Sequence, residues 1–237
     1  MGIPVLILGE SGSGKSSSLR NFNFDEVAVF NVAGKPFPFR KEFKKINHAT
    51  YDIIEGNLKA AKYKAYVIDD SQYLMTFEMF NRVKDKGYDK FTEISLNFVN
   101  LVKTVIRDIP DNVIVYFLHH TESLDNGNIK AKTIGKMIDN HLTLEGLFSI
   151  VLLAKVKDGK YIFETQSNGF TTAKSPIGMF DREIDNDLQA VDLKIREYWQ
   201  LDNNQVSQSD SVIEQRIDDI LDTELLAVQL LLELRER

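Results

Sequence analysis

The chain contains no cysteine among its 237 residues. This absence excludes a disulfide framework and any chemistry that needs a thiolate. No apolar run approaches the roughly 20 residues that a membrane-spanning helix requires. The first apolar run begins almost at the N-terminus, which leaves no room for a targeting peptide ahead of it. We therefore expect a soluble cytoplasmic protein that does not associate with a membrane.

The excess of negative charge lies entirely at the C-terminal end. The net charge is −6, and residues 201–237 hold nine acidic and three basic side chains, which leaves 26 of each sign in residues 1–200. A balanced core neither favours nor excludes a nucleic-acid site, so any such site must be a local basic patch. Length and composition suit one α/β core over residues 1–200 with an appendage.

A glycine-rich motif dominates the N-terminal part of the chain. Residues 9–16 (GESGSGKS) match the phosphate-binding pattern G-x-x-x-x-G-K-S, or Walker A, and directly follow the apolar run at 3–8. The glycines let backbone N–H groups converge on phosphate oxygens, and a following helix adds its positive end. Lys15 then reaches the β and γ phosphates, and the Ser16 hydroxyl ligates Mg²⁺. We expect ATP to be held by Gly9, Glu10, Ser11, Gly12, Ser13, Gly14, Lys15, Ser16 and Ser17.

Apolar runs alternate with helical periodicity along residues 1–200, which predicts a mainly parallel sheet flanked by helices. Besides the strand at 3–8, we predict strands over 27–32, 66–70 and 113–118, and helices over 15–22, 51–61, 74–84 and 91–109. The pair Asp158-Gly159 indicates a hairpin between strands at 147–156 and 160–165. Predicted loops cover 34–39, 121–135 and 166–180. A linker is predicted over 201–211, and an amphipathic helix over 212–234 within the acidic tail 212–237.

Two acidic residues end the predicted strand at 66–70. A phosphate-binding loop needs a metal-organising acid at the tip of a neighbouring strand, and Asp69 is placed as this Walker B residue. Asp70 is placed to polarise the attacking water. Capping of the next helix is the alternative role for Asp70, because aspartate caps helices well.

Two histidines, His119 and His120, end the predicted strand at 113–118, with Thr121 and Glu122 behind them. A polar residue at this position is suited to sensing the γ-phosphate. A strand that simply turns polar as it leaves the core is the second interpretation, and a metal site is the third.

Phosphoryl transfer usually needs an additional cation at the γ-phosphate. Lys174, in the loop at 166–180, is the candidate, and it would reach the nucleotide of a neighbouring subunit. Arg182 is the second choice. The alternative is that Lys174 is simply solvated, as most loop lysines are.

Two segments are candidates for binding single-stranded DNA. Lys130, Lys132 and Lys136 lie on a polar stretch where they would track a phosphate backbone. Residues 35–45 (KPFPFRKEFKK) alternate basic and aromatic side chains, a pattern typical of single-strand binding. The alternative for both is that the phenylalanines belong to the core and the lysines are solvated.

Together these residues resemble the compact, RecA-like P-loop ATPases encoded by phages, also known as AAA-family or nucleotide-binding phage proteins. The resemblance spans residues 1–200. It rests on the motif at 9–16, on Val67-Ile68-Asp69-Asp70, and on the segments 31–39 (NVAGKPFPF), 132–137 (KTIGKM) and 174–180 (KSPIGMF). The acid pair, the acidic tail and the absence of an N-terminal oligomerisation segment depart from the recombinase pattern.

The resemblance implies a Mg²⁺-dependent ATPase of phage DNA replication or recombination, acting in the host cytoplasm. It implies binding of single-stranded DNA and promotion of annealing or strand exchange. RecA-like proteins share nucleotide between subunits, which implies a homo-oligomer and suits Lys174. The alternative function is a replisome motor or helicase loader whose tail (212–237) docks on a helicase or single-strand-binding protein. The alternative role for the tail is to pack on the protein's own core. A nucleotide switch or kinase is less favoured, because the chain lacks an N-K-x-D signature and an arginine-rich lid.

Overall fold

A mixed, mostly parallel β-sheet forms the centre of the protein. The computed structural model describes residues 1–87, 89–135 and 142–201. The strands are β1 (Ile3–Gly9), β2 (Val27–Asn31), β3 (Lys44–Asn47), β4 (Ala65–Asp69), β5 (Ile114–Ser123), β6 (Ile129–Ala131), β7 (Ile150–Lys157), β8 (Lys160–Glu164) and β9 (Glu183–Asp185). β1, β4 and the first half of β5 are apolar runs that the sheet buries almost completely.

The strand order places the ends of three strands side by side. The order is β3-β2-β4-β5-β1-β7-β8-β9, and β6 pairs with β5 outside this path. The neighbouring strands β3, β2, β4, β5, β1 and β7 all run parallel, whereas β8 and β9 are each antiparallel to the strand before them. β7 turns into β8 at Asp158 and Gly159, whose φ angles of 51° and 75° match a tight hairpin turn. Because β5 lies between β1 and β4, their C-terminal ends meet at one edge of the sheet.

Helices cover both faces of the sheet, which confirms the predicted α/β class. They are α1 (Tyr51–Ala60), α2 (Gln72–Asn81), α3 (Asp89–Asp108) and α4 (Leu188–Trp199), with 3₁₀ helices at Ser16–Asn21 and Leu144–Leu147. The first three α-helices share one hydrophobic core with Leu6 and Phe117. On the opposite face, the Tyr116 hydroxyl donates a hydrogen bond to Asp192 of α4 (2.8 Å). Neighbouring strand residues point to opposite faces, so α4 packs on the other side.

The helix predicted over residues 15–22 is only the short 3₁₀ helix Ser16–Asn21. Serine side chains compete with helical hydrogen bonds, and the Ser18 hydroxyl donates to Lys15 O at 2.6 Å. The helix dipole therefore contributes less to a phosphate site than the sequence predicted. The preceding loop supplies backbone N–H groups for this role, although that of Ser13 already donates to Glu10 O at 3.2 Å.

The loop predicted over residues 121–135 contains β-structure instead. β5 continues to Ser123, and its last three residues pair with β6 in antiparallel register. Glu122 and Lys130 face each other across this pair and form an ion pair of 2.9 Å. The prediction was wrong because these strands extend beyond the core, so their sequence lacks the apolar alternation that marks a buried strand.

The second half of the chain holds elements that the sequence did not predict, namely β9 and α4. By their contacts, Met1–Trp199 form one compact unit. The linker and tail predicted at 201–211 and 212–237 lie outside the described residues from 202 onward.

Within the described ranges, none of the helices combines the length and hydrophobicity that crossing a bilayer requires.

Candidate functional site

The glycine loop (residues 9–16) begins where β1 ends and forms a close-packed backbone turn. Gly12 and Gly14 have φ angles of 79° and 97°, which residues with a side chain rarely adopt. A Cβ on Gly14 would lie 2.7 Å from Tyr161 Cδ1, and a Cβ on Gly9 would overlap Ser13 Oγ. The loop is therefore a backbone cradle that depends on glycine at these positions.

Lys15 lies buried inside this cradle. Its Nζ donates hydrogen bonds to two carbonyls of the loop itself, Gly9 O (2.7 Å) and Glu10 O (2.9 Å). Burial lowers the pKa of Lys15 to about 8, despite the opposing attraction of two neighbouring carboxylates. Ser13 Oγ is also buried and has no hydrogen-bond partner among the described residues. A phosphate in the loop would give both groups a strong partner, so these residues fit a phosphate ligand.

Ser16 and Asp69 bring two oxygen atoms together beside Lys15. Ser16 Oγ donates a hydrogen bond to Asp69 Oδ1 at 2.8 Å. Burial and the adjacent charge of Asp70 together raise the pKa of Asp69 to about 6, against the opposing effect of the hydrogen bond from Ser16. Mg²⁺ is usually held by one or two carboxylates with phosphate oxygens and water, so this hydroxyl–carboxylate pair fits a Mg²⁺ ion. A cation here would offset the cost of burying the Asp69 charge.

Asp70 joins the site through a strained backbone position, with a φ of 58° that is uncommon outside glycine. Its Oδ2 lies 2.6 Å from Lys35 Nζ, and its Oδ1 lies 3.2 Å from His120 Nε2. Burial alone would raise the pKa of Asp70, but the hydrogen bond from His120 and the ion pair with Lys35 outweigh it and lower the pKa. The carboxylate does not cap α2, whose N-cap residue is Ser71. Asp70 is therefore an ionised group held at the site.

The two histidines at the end of the core strand have different surroundings. The fully buried His119 donates from Nε2 to Lys132 O (2.8 Å), so its Nδ1 accepts from the Ser71 hydroxyl (2.9 Å). Both ring nitrogens of His119 are thus engaged within the fold, which leaves neither for a phosphate. His120 contacts Asp70 and packs its ring edge-on against Tyr73 (5.6 Å). Of the two predicted sensing residues, His120 is the one that contacts the site.

Acidification is expected to destabilise the protein through His119. Burial lowers the pKa of His119 from 6.5 to about 4, so between these values the unfolded chain binds a proton that the folded chain does not. Stability from this group is present at pH 7 and is lost as the pH falls, by about 2 kcal/mol at pH 5. Urea unfolding of wild type and His119→Gln at both pH values measures this loss. An equal pH dependence in the two proteins would contradict it.

Two cavities flank the tip of the glycine loop. The first, of about 650 Å³, is lined by Glu10, Ser11, Gln72, Tyr73, His120 and Lys132, among others. The second, of about 460 Å³, is lined by Ser11, Ser13, Thr121, Lys155, Glu164 and Thr171, among others. A third cavity, between β9 and α4, shares no residue with the loop. The first cavity is therefore lined both by the glycine loop and by His120, and His120 in turn contacts Asp70.

The lysines predicted to bind DNA or nucleotide are spread over the protein. Lys130 is ion-paired with Glu122, Lys132 is exposed and lines the first cavity, and Lys136 lies outside the described residues. The backbone of Lys174 pairs with Val151 on β7, through two hydrogen bonds of 2.8 Å. Val151 is in register with Leu6, three residues before the loop begins. Lys174 therefore stands apart from the cluster around Lys15, and its predicted role would need a second subunit.

The segment at residues 35–45 forms a compact aromatic cluster edged by lysines. The Phe37 and Phe39 rings stack at 5.4 Å, and both meet the buried Phe43 edge-on at 5.8 Å. Lys41 stands over the Phe43 ring (5.9 Å), and Lys45 stands over the Phe37 ring (5.6 Å). The segment combines features of both interpretations given for it. The three rings pack on one another as a core would, while Phe37 and Phe39 remain half-buried beside exposed positive charge, as a single-strand-binding surface would need.

Sequence reasoning missed Lys35 as a site residue. By sequence it belongs to the segments 31–39 and 35–45 and has no predicted role at the nucleotide, yet its Nζ contacts Asp70. The available signal was its position just after β2, since β2 pairs with β4 and the ends of parallel neighbours meet.

Four side chains from two distant parts of the chain thus form the centre of the candidate site, namely Lys15, Ser16, Asp69 and Asp70, and Lys35 and His120 contact it through Asp70. Neither a family model nor a curated protein matches the chain. The functional conclusion accordingly depends on the chemistry of this cluster.

Proposed function

We propose that the chain is a Mg²⁺-dependent ATPase of the phage-encoded, compact RecA-like P-loop class. The observation that carries this proposal is the cluster of one ammonium, one hydroxyl and two carboxylates around the glycine loop. Lys15 and Ser16 come from the loop, and Asp69 and Asp70 come from the end of β4. This combination of groups suits a nucleoside triphosphate with its metal ion.

Each residue has a role in the proposed reaction. Lys15 exchanges the loop carbonyls for phosphate oxygens and balances their charge. Ser16 and Asp69 hold Mg²⁺, which when bound neutralises charge that develops on the phosphates. Asp70 stays ionised and orients the attacking water, accepting its proton as general base. His120 holds the Asp70 carboxylate in place through Oδ1.

We further propose that this ATPase binds single-stranded DNA and acts in replication or recombination as a homo-oligomer. The segment at 35–45 supports this, because aromatic rings beside lysines are the groups that stack bases and attract phosphates. It is also directly linked to the site through Lys35. Exposed Lys132 adds positive charge beside the first cavity.

Phosphate release measured with and without single-stranded DNA tests this proposal. We expect wild-type protein to hydrolyse ATP with Mg²⁺ and to be stimulated several-fold by DNA, with the stimulation decreasing as salt rises. Hydrolysis that DNA leaves unchanged would contradict the DNA-dependent function. In that case the acidic tail supports the alternative, a motor or loader that acts through a protein partner. Removal of residues 201–237 would then abolish partner binding but not hydrolysis.

A further inference from the structure

Lys35 forms the shortest charged contact of the site. Its Nζ lies 2.6 Å from Asp70 Oδ2, and its side chain is 60% exposed whereas that of Asp70 is 6% exposed. An exposed lysine usually gains little from pairing with a carboxylate, because water and side-chain freedom compete with the pair. Here the partner is a buried carboxylate beside the glycine loop, and Lys35 approaches it from the solvent side.

The backbone that carries Lys35 is tightly fixed. The buried Asn31 at the end of β2 donates from Nδ2 to Lys35 O (2.7 Å) and to Asn47 Oδ1 (3.0 Å). Gly34 has a φ of 69°, and a Cβ there would overlap the His48 ring. This turn therefore needs glycine before the lysine, and it fixes where the Lys35 side chain begins.

The Lys35 side chain retains freedom beyond this fixed turn. Its Nζ also stands over the Tyr73 ring at 5.7 Å, and Tyr73 lines the first cavity with His120 and the loop residues Glu10 and Ser11. A long flexible chain on a rigid base can exchange one anionic partner for another nearby. A triphosphate bound through Lys15 would bring a concentrated negative charge to this side of the loop.

We propose that Lys35 binds the terminal phosphate of the nucleoside triphosphate, moving its ammonium from Asp70 to that phosphate. This proposal depends on the proposed ATPase function. It supplies from within the same chain the additional cation that phosphoryl transfer uses. The move also releases Asp70 Oδ2 for the attacking water. A diphosphate lacks the terminal group, so Lys35 then returns to Asp70 and discriminates between the two nucleotides.

The binding constants of a non-hydrolysable ATP analogue and of ADP, each with Mg²⁺, test this role. In Lys35→Ala we expect the analogue to bind about 10- to 100-fold more weakly, the range for loss of one charge-assisted hydrogen bond, while ADP binding stays within about twofold. Lys35→Arg should restore most of the preference. Lys157→Ala is the matched control, because Lys157 is 52% exposed and pairs with Glu183 at 2.6 Å, outside the residues that line the loop.

A second pair of variants separates direct contact from an effect through Asp70. Removing Lys35 leaves Asp70 in contact with His120, and the carboxylate charge, no longer offset by the lysine, would itself repel a terminal phosphate. In an Asp70→Asn background this repulsion is absent, so Lys35→Ala should still weaken the analogue more than ADP. Loss of the effect in that background, or equal weakening of both nucleotides, would overturn the proposal. If wild type binds neither nucleotide, the proposed function fails as well.

Discussion

Lys15→Ala is expected to abolish ATP hydrolysis, lowering the rate on the order of a hundredfold or more. The ammonium is the buried cation inside the glycine loop, and in the proposed mechanism it contacts the phosphates throughout the reaction. Steady-state phosphate release at saturating Mg²⁺ and ATP measures the loss. Lys59→Ala, at an exposed position on α1, is the control and should retain the wild-type rate.

The same variant is expected to remain folded. Burial lowers the pKa of Lys15 to about 8, which means that keeping it charged inside the loop costs stability in the nucleotide-free protein. Removing the side chain relieves this cost but also removes the hydrogen bonds to Gly9 O and Glu10 O, so the two effects oppose each other and we expect the melting temperature to change little. A variant that loses activity because it unfolds would not support the proposed role, and a variant with near wild-type hydrolysis would contradict it.

Asp70→Asn is expected to retain nucleotide binding but to lose hydrolysis, again on the order of a hundredfold. The substitution removes the charge and the proton-accepting ability while preserving shape. Asparagine also tolerates the positive φ at this position better than most residues. Single-turnover hydrolysis, compared with equilibrium binding of the same nucleotide, separates the two effects.

Asp52→Asn, an exposed change on α1, provides the control for Asp70. It should alter neither binding nor hydrolysis. If Asp70→Asn hydrolyses ATP at the wild-type rate, Asp70 is not the group that orients water. Its contacts with Lys35 and His120 would then serve the folded structure alone.

The sequence predicted the central strands because they are buried apolar runs bounded by polar residues. β4 is buried along its whole length, which makes such a run visible without any tertiary information. β3, with the sequence KKIN, is an exposed edge strand, so no apolar pattern marks it. In α4 the buried face includes Asp192 and Arg196, which pair with each other, and these charges interrupt the apolar periodicity.

For the candidate site, too, some features follow from the local sequence and others depend on contacts between distant parts of the chain. The meeting of Ser16 and Asp69 was predictable, because motif spacing and the end of an apolar run place them on loops at the same edge of the sheet. The sequence did not show which of the two histidines contacts the site. Adjacent strand residues face opposite ways, and only the register of β5 against its neighbour β1 decides between them. The contact between Lys35 and Asp70 depends on β2 lying beside β4, which the spacing of motifs does not reveal.

Calorimetric titration of Mg²⁺–ATP into the nucleotide-free protein tests the central claim most directly, namely that the glycine loop binds a nucleoside triphosphate. The account predicts saturable binding at one site per chain, absent in Lys15→Ala and retained in Lys59→Ala. Absence of binding to the folded wild-type protein, or equal binding in Lys15→Ala, would contradict it.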